Sequence, residues 1–159
     1  MDLGSLDLIV NAGEHIDSRT LTKIILSLKK GLTTFHPLII EKILIILQKL
    51  VTLRDGTVGI TLVSYFNHFL PVISIIQQRE QDQNQKYSRI IDDFQKNSSF
   101  DLLRSIDETL FILERFGGPD AFLNIKYSIP TYEQQADFNH LSKKQIDMMI
   151  QPLINIESK

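Results

Sequence analysis

Residues 37–51 read PLIIEKILIILQKLV, and this run decides the fold class. Pro37 suits the first turn of a helix, where a missing N–H costs no hydrogen bond. From Leu38 to Val51 only four side chains are polar: Glu41, Lys42, Gln48 and Lys49. At about 100° per residue these four side chains fall within a sector of roughly 120°. The rest of the helix surface is apolar, so other elements must cover this helix on several sides.

The sequence on the N-terminal side of this run predicts two further helices. Leu3–Val10 is predicted to form a short first helix that ends near Gly13. Asp17 or Ser18 is suited to cap the next helix, which is predicted to close near Gly31. The apolar side chains of that second helix share one face: Leu21, Ile24, Ile25, Leu28 and Leu32.

The sequence on the C-terminal side predicts a turn at residues 55–56 and then a helix from about Val58 to Gln78. Pro71 lies inside that helix. Because proline lacks an N–H and clashes with the preceding turn, a kink or a break is predicted near Phe69 and Leu70.

Helical spacing of apolar residues continues to residue 116. The uniformly polar residues 79–86 predict an exposed loop, and helices are predicted at Ser88–Lys96 and Ser99–Phe116. Val, Ile and Leu recur at three-and-four spacing throughout, which favours helices over strands. The predicted fold is therefore all-α, an armadillo/HEAT-like stack of about six to seven helices. A plain helical bundle is the alternative.

The segment 117–133 is predicted to close the helical stack. Gly117 and Gly118 follow the last long helix, and glycine readily adopts the positive φ that stops a helix. The apolar residues beyond them leave no clean polar face: Ala121, Phe122, Leu123, Ile125, Tyr127 and Ile129. Pro130 ends regular hydrogen bonding there. We predict a short helix and an extended strap that pack back along the other helices.

Two regions follow from these patterns. Residues 1–133 are predicted to form one helical-repeat domain, and residues 134–159 a C-terminal extension. Ser142 is suited to cap a short amphipathic helix in the extension. That helix is expected either to pack on the parent domain or to dock into a groove of another protein.

Composition excludes several classes of protein. The chain has 159 residues, a net charge of −2 and no cysteine, so disulfide frameworks and thiolate metal sites are ruled out. No basic face is concentrated enough to predict nucleic-acid binding. Uninterrupted apolar runs such as Ile43–Leu47 are much shorter than a membrane span. The start of the chain, Met1–Val10, has no basic residue and does not resemble a targeting peptide. A soluble protein is expected.

The sequence contains no pattern typical of catalysis. The four histidines lie far apart in sequence: His15, His36, His68 and His140. The paired acids at 92–93 and 107–108 are adjacent on predicted helices, so their side chains point in diverging directions. Neither a Gly-x-Ser-x-Gly elbow nor a glycine-rich phosphate loop occurs. No enzymatic activity, cofactor or metal site is predicted.

The closing segment also carries a family resemblance. From Glu114 to Glu133 the sequence resembles, nearly residue for residue, the end of the Parkin co-regulated gene product (PACRG) family of ciliary microtubule proteins. A looser likeness covers Asp17 to Ile76. The residues that carry the resemblance most clearly are Phe116, Gly117, Gly118, Ala121, Phe122, Leu123, Asn124, Ile125, Lys126, Tyr127, Pro130, Thr131 and Tyr132.

The resemblance implies an armadillo-like, non-catalytic protein of the cytoskeleton, in the axoneme of cilia and flagella. There it would bridge the A- and B-tubules at the inner junction of doublet microtubules. The implied partners are tubulin, a small β-rich inner-junction protein and other axonemal proteins, with neither nucleic acid nor membrane among them. The alternative is a helical-repeat adaptor that binds a soluble protein or peptide away from microtubules.

Two sets of residues are candidates for partner binding. Because tubulin is acidic, basic residues of the first half are expected to contribute, with ordinary solvated surface as the alternative for each: Lys23, Lys29, Lys30, Lys42, Lys49 and Arg54. The resemblance adds the polar members of the closing segment: Asn124, Lys126, Thr131, Tyr132 and Glu133.

Overall fold

The computed structural model describes residues 3–5, 16–87 and 96–133. Over these ranges the chain is helical and contains no β-strand, which confirms the all-α prediction. The α-helices are α1 (Ser18–Leu32), α2 (Pro37–Thr52), α3 (Thr57–Leu62), α4 (Phe66–Tyr87), α5 (Lys96–Phe116) and α6 (Ala121–Ser128). Short 3-10 turns occupy Leu53–Gly56 and Val63–Tyr65. The helical packing is compatible with an armadillo-like stack, which stays a prediction.

Helix α2 lies at the centre of the fold. It packs most extensively against α5 and also contacts α1 and α3. Its buried residues are Ile40, Ile43, Leu44, Ile46, Leu47, Leu50, Val51 and Thr52. Gln48 Nε2 donates a hydrogen bond of 2.8 Å to the hydroxyl of Thr109 on α5. Thr109 itself is buried. The prediction that other elements cover this helix on several sides is confirmed.

Helix α1 begins at a side-chain cap. Asp17 Oδ1 accepts a hydrogen bond of 2.8 Å from the backbone N–H of Thr20, so Asp17 rather than Ser18 is the cap. The helix packs against α4 and α2, and the hydroxyls of Thr22 and Tyr65 lie 3.0 Å apart across the contact with the second 3-10 turn. The buried residues are those that the sequence predicted: Leu21, Ile24, Ile25, Leu28 and Leu32.

The corner between α1 and α2 is held by an aromatic side chain. Phe35 has φ 54°, a backbone conformation that is uncommon for a residue with a bulky side chain. The guanidinium carbon of Arg79 on α4 lies 4.0 Å from the centre of the Phe35 ring. This cation–π contact ties the corner to α4 and helps to hold Phe35 in its strained conformation.

Helix α4 corrects two predictions. It is continuous through Phe69 and Leu70, so no break occurs there, and the interruption lies earlier at the 3-10 turn Val63–Tyr65. Pro71 is exposed within the helix, where water can satisfy the carbonyl that loses its donor. The exposed loop predicted for residues 79–86 is wrong, because α4 runs to Tyr87. Glutamine, glutamate, arginine and lysine dominate this stretch and are good helix formers, so a polar helix extends into solvent.

The same region contains a helical run whose length and composition would allow it to cross a membrane. This run, Thr57–Lys86, is partly enclosed by the rest of the fold. The apolar residues of α4 that face the core are Phe66, Phe69, Leu70, Ile73 and Ile76. The core helix of a soluble protein and a membrane-spanning helix both pass this test of length and composition.

Glycines allow α3, α5 and α6 to approach closely. A Cβ atom added at Gly59 on α3 would lie 2.5 Å from the carbonyl oxygen of Phe116, the last residue of α5. Gly118 has φ 81°, which confirms the predicted glycine stop after α5. The chain then turns back into α6, which packs against α4 and α5.

Several predicted elements fall outside the described residues. Residues 3–5 are helical, but the remainder of the predicted first helix is not described. The helix predicted at Ser88–Lys96 falls almost wholly on the undescribed residues 88–95, and the extension of residues 134–159 lies beyond the described part of the chain.

Candidate functional site

The outer face of α1 is a narrow basic stripe. Arg19, Lys23, Leu26 and Lys30 are all exposed, with Leu26 at 53%. At about 100° per residue these four side chains fall within a sector of roughly 60°, directly opposite the buried face. We call these four residues the α1 ridge. With a rise of 1.5 Å per residue, the ridge is about 16 Å long.

No acidic group of α1 neutralises this ridge. The sequence of the helix, SRTLTKIILSLKKGL, contains four cations and no carboxylate. Within the described residues none of these cations forms an ion pair, and Lys29 lies half-buried on the flank. An exposed line of like charges raises the local concentration of anionic groups, which makes the ridge suited to an acidic partner.

A second basic surface lies on α2. Lys42, Ile45 and Lys49 follow one another on one side of the helix, and Ile46, Leu3 and Gly4 complete the lining of an open cavity of about 270 Å³. The predicted residues Lys42 and Lys49 thus meet at one place. The side chain of Arg54 is outside the described part of the structure, so its candidate role remains a prediction.

The closing segment is latched to α5 by Tyr132. This tyrosine is only 7% exposed, and its hydroxyl donates a hydrogen bond to Glu114 Oε2. Lys126 Nζ donates a bond of 2.8 Å to the backbone carbonyl of Tyr132, and the Phe122 ring lies 6.2 Å from the tyrosine ring. Two predicted partner-binding residues, Lys126 and Tyr132, are therefore engaged within the fold.

The surroundings of Tyr132 favour its neutral form. Burial, the hydrogen bond to Glu114 and the nearby negative charges of Glu114 and Asp107 all raise the pKa of the Tyr132 hydroxyl well above its ordinary value. Partial burial and the neighbouring Glu108 in turn raise the pKa of Asp107. The tyrosine therefore keeps its proton, and with it the hydrogen bond to Glu114, at a pH where an ordinary tyrosine would lose it.

Replacing Tyr132 by phenylalanine is expected to lower the free energy of unfolding by about 1–2 kcal/mol. The ring still fills its place, but the Glu114 carboxylate loses its donor. The matched control is Tyr127→Phe, since Tyr127 is 89% exposed, and its expected effect is below about 0.5 kcal/mol. Urea unfolding followed by circular dichroism measures both, and equal effects of the two changes would contradict the latch.

The hydrogen bond between Tyr132 and Glu114 also predicts that the stability of the fold depends on pH in the alkaline range. An unfolded tyrosine loses its proton near pH 10, whereas folded Tyr132 keeps it because its pKa is raised. The unfolded state then binds fewer protons, so stability falls as pH rises above about 10, by up to about 1.4 kcal/mol per pH unit. Stability measured between pH 9 and 11 should show this component in Tyr127→Phe and lack it in Tyr132→Phe. A slope shared by both variants would be the contrary result.

The outer face of α6 exposes two large apolar side chains one turn apart. Leu123 is 66% exposed and Tyr127 is 89% exposed. Asn124 lies beside them, exposed, and its side-chain amide donates to the carbonyl of Asp120. Thr131 and Glu133 also face solvent near the end of the described chain. We call Leu123, Asn124 and Tyr127 the α6 outer face.

The structure groups some of the predicted residues and reveals others. Lys23 and Lys30 lie together on the α1 ridge, where Arg19 and Leu26 were missed although their four-and-three spacing is visible in the sequence. Glu114 was also missed as the partner of Tyr132, because 18 residues separate them and only the fold brings them together.

The described residues contain no group of three or more histidine and acidic side chains placed to hold a metal ion. His36 and His68 are separate exposed side chains, and His15 and His140 lie outside the described ranges. The open cavity on α2 is lined by two lysines and apolar or glycine residues.

Comparison with known proteins gives one consistent result. A family model described as Parkin co-regulated protein matches residues 2–134. A curated mouse protein, the Parkin coregulated gene protein homolog, is 32% identical over 130 residues, which covers 82% of this chain and 51% of the relative. The chain thus spans about half the length of the curated relative that it matches.

Proposed function

The chain belongs to the Parkin co-regulated protein family, and on that premise we propose that it is a structural, non-catalytic microtubule-associated protein of the axoneme. In this role it bridges the A- and B-tubules at the inner junction of doublet microtubules in cilia and flagella. Its partners there are tubulin, a small β-rich junction protein and other axonemal proteins. The family match over residues 2–134 carries the proposal.

Three features of the fold support this role. A junction protein must present binding surfaces at a fixed separation, and packed helices around a continuous apolar core meet that requirement. The α1 ridge, and Lys42 beside the open cavity on α2, offer positive charge for acidic tubulin. The α6 outer face, with its exposed leucine and tyrosine, suits a contact with the second protein of the junction.

Binding to microtubules tests the proposal directly. The purified chain is expected to sediment with microtubules at low salt and to be released as the salt concentration rises, because contacts between exposed charges are screened. In fractionated cilia the protein should stay with the doublets after detergent extraction. Complete release by detergent alone would contradict a junction role.

The adaptor function is the second candidate, and the α6 outer face is the observation that favours it. Leu123 and Tyr127 are exposed to an extent that a protein partner would cover. An adaptor would form a stable stoichiometric complex in cytosol free of microtubules. Affinity purification from cytosolic and axonemal fractions, followed by mass spectrometry, distinguishes the two functions by whether tubulin accompanies the protein.

A further inference from the structure

We infer that the α1 ridge binds a flexible, glutamate-rich peptide segment, laid lengthwise along the helix. This inference deepens the proposed function by naming a class of partner. It rests on that function only in the second experiment, which uses microtubules as the probe. The ridge has the charge, the length and the shape that such a segment requires, and each property follows from named residues.

No carboxylate in the described part of the chain opposes the charge of the ridge. Arg19, Lys23 and Lys30 are exposed, and within the described residues none of them is paired with a carboxylate. By contrast, Arg104 on α5 pairs with Glu108 at 3.0 Å, and Arg79 on α4 covers the Phe35 ring. The α1 cations are therefore available to an external anion without first breaking an internal contact.

The spacing of the cations matches an extended acidic chain. Arg19 and Lys23 are separated by about 6 Å along the helix axis, and Lys23 and Lys30 by about 10 Å. Alternate side chains of an extended peptide recur about every 6.7 Å. The first interval agrees to within about 1 Å and the second to within about 3 Å. Long, flexible lysine and arginine side chains can span these differences, so a peptide of about six residues can place carboxylates opposite all three cations.

The shape of the ridge favours a flexible partner over a flat folded surface. The four side chains stand on a sector of roughly 60° on the side opposite the core, so they form the crest of a convex helix. A flat surface touches such a crest along a narrow line, whereas a flexible chain can follow it. Leu26 in the middle offers an apolar contact, which suits the methylene groups of glutamate.

Two other polyanions fit less well. A single-stranded nucleic acid binds through aromatic side chains on which bases stack, and the ridge has none. An interfacial membrane helix turns a broad apolar face toward the lipid, but the apolar face of α1 is buried in the core and only Leu26 is exposed on the ridge.

The first test uses the whole chain and a fluorescent peptide of 12 glutamates. Fluorescence anisotropy at low salt should show binding that a peptide of 12 glutamines does not show. The triple change Arg19→Glu, Lys23→Glu, Lys30→Glu is expected to weaken binding by at least about tenfold, as the loss of three surface charge pairs would do. Thermal unfolding checks that the exposed changes leave the fold intact.

A matched variant controls for net charge. Lys86→Glu, Arg104→Glu, Arg115→Glu changes the total charge by the same amount at exposed positions on α4 and α5, and should weaken binding by less than about threefold. Equal losses in the two triple variants would overturn the inference. Tighter binding of a 12-nucleotide single strand or of anionic vesicles than of the glutamate peptide would overturn it as well.

Microtubules separate this inference from the proposed function. The α1 triple change should weaken sedimentation with intact microtubules and have no effect on microtubules whose acidic C-terminal tails have been removed by limited proteolysis. An equal effect on both would refute the inference and leave the junction role standing. Binding to the glutamate peptide without any binding to microtubules would refute the junction role and leave the inference standing.

Discussion

Replacing Leu47 by alanine is expected to lower the free energy of unfolding by about 2–5 kcal/mol, because the change leaves a cavity in the middle of the core. Leu47 is fully buried on α2, the helix that contacts α1, α3 and α5. A domain of ordinary stability has only about 5–15 kcal/mol in total. Urea unfolding followed by circular dichroism should therefore show a large shift of the midpoint.

The same change at Leu38 is the matched control. Leu38 belongs to the same helix but is 66% exposed, so truncation to alanine removes little buried surface and is expected to cost less than about 0.5 kcal/mol. Comparable losses at positions 38 and 47 would mean that α2 is not the central element.

Replacing Gly59 by alanine is the second change with a large expected effect, about 1–3 kcal/mol of lost stability. The added Cβ would lie 2.5 Å from the carbonyl oxygen of Phe116, and a backbone atom cannot rotate away as a side chain can. Helix α3 must then move away from α5, and overpacking of this kind costs more than the better helix propensity of alanine returns.

Gly31→Ala provides the comparison for Gly59→Ala. At Gly31, within α1, an added Cβ would meet mainly the end of the flexible Ile43 side chain, which can change rotamer at small cost. Alanine also favours the helix by about 1 kcal/mol. We expect Gly31→Ala to be close to neutral while Gly59→Ala is destabilising, both measured by thermal and urea unfolding. The reverse order would show that α3 and α5 do not meet as described.

Apolar periodicity predicted most of the fold. The narrow polar sector of α2 identified the central helix, and the buried residues of α1 were predicted individually. Both predictions are correct because the side chains that face the core must recur at the helical period. The glycine stop after α5 was predicted for the same local reason, since Gly118 adopts the positive φ that ends the helix.

The wrong predictions rest on sequence patterns that occur both in helices and in the structures that interrupt them. A stretch of polar residues is typical of loops, yet residues 79–86 form the end of α4 because they contain neither glycine nor proline. Pro71 is a strong breaker in isolation, but packing of Phe69, Leu70 and Ile73 in the core holds the helix together on both sides of it.

The binding surfaces were less predictable than the fold. Counting cations one by one identified Lys23 and Lys30 but missed that Arg19 and Leu26 complete the same line. The closing segment was recognised from its residues, yet the sequence could not show which polar members face inward. Tyr132 is buried and its hydroxyl reaches Glu114 on another helix, an arrangement that only tertiary packing decides.

The latch at Tyr132 has a geometric consequence for the sequence that follows it. Because its hydroxyl is bonded to Glu114 on α5, the next residue along the chain, Glu133, is held at a fixed place beside that helix. The 26 residues from 134 to 159 can reach at most about 90 Å from that place, whatever structure they adopt. Any second anchoring point that they supply must lie within that radius of the α5 latch.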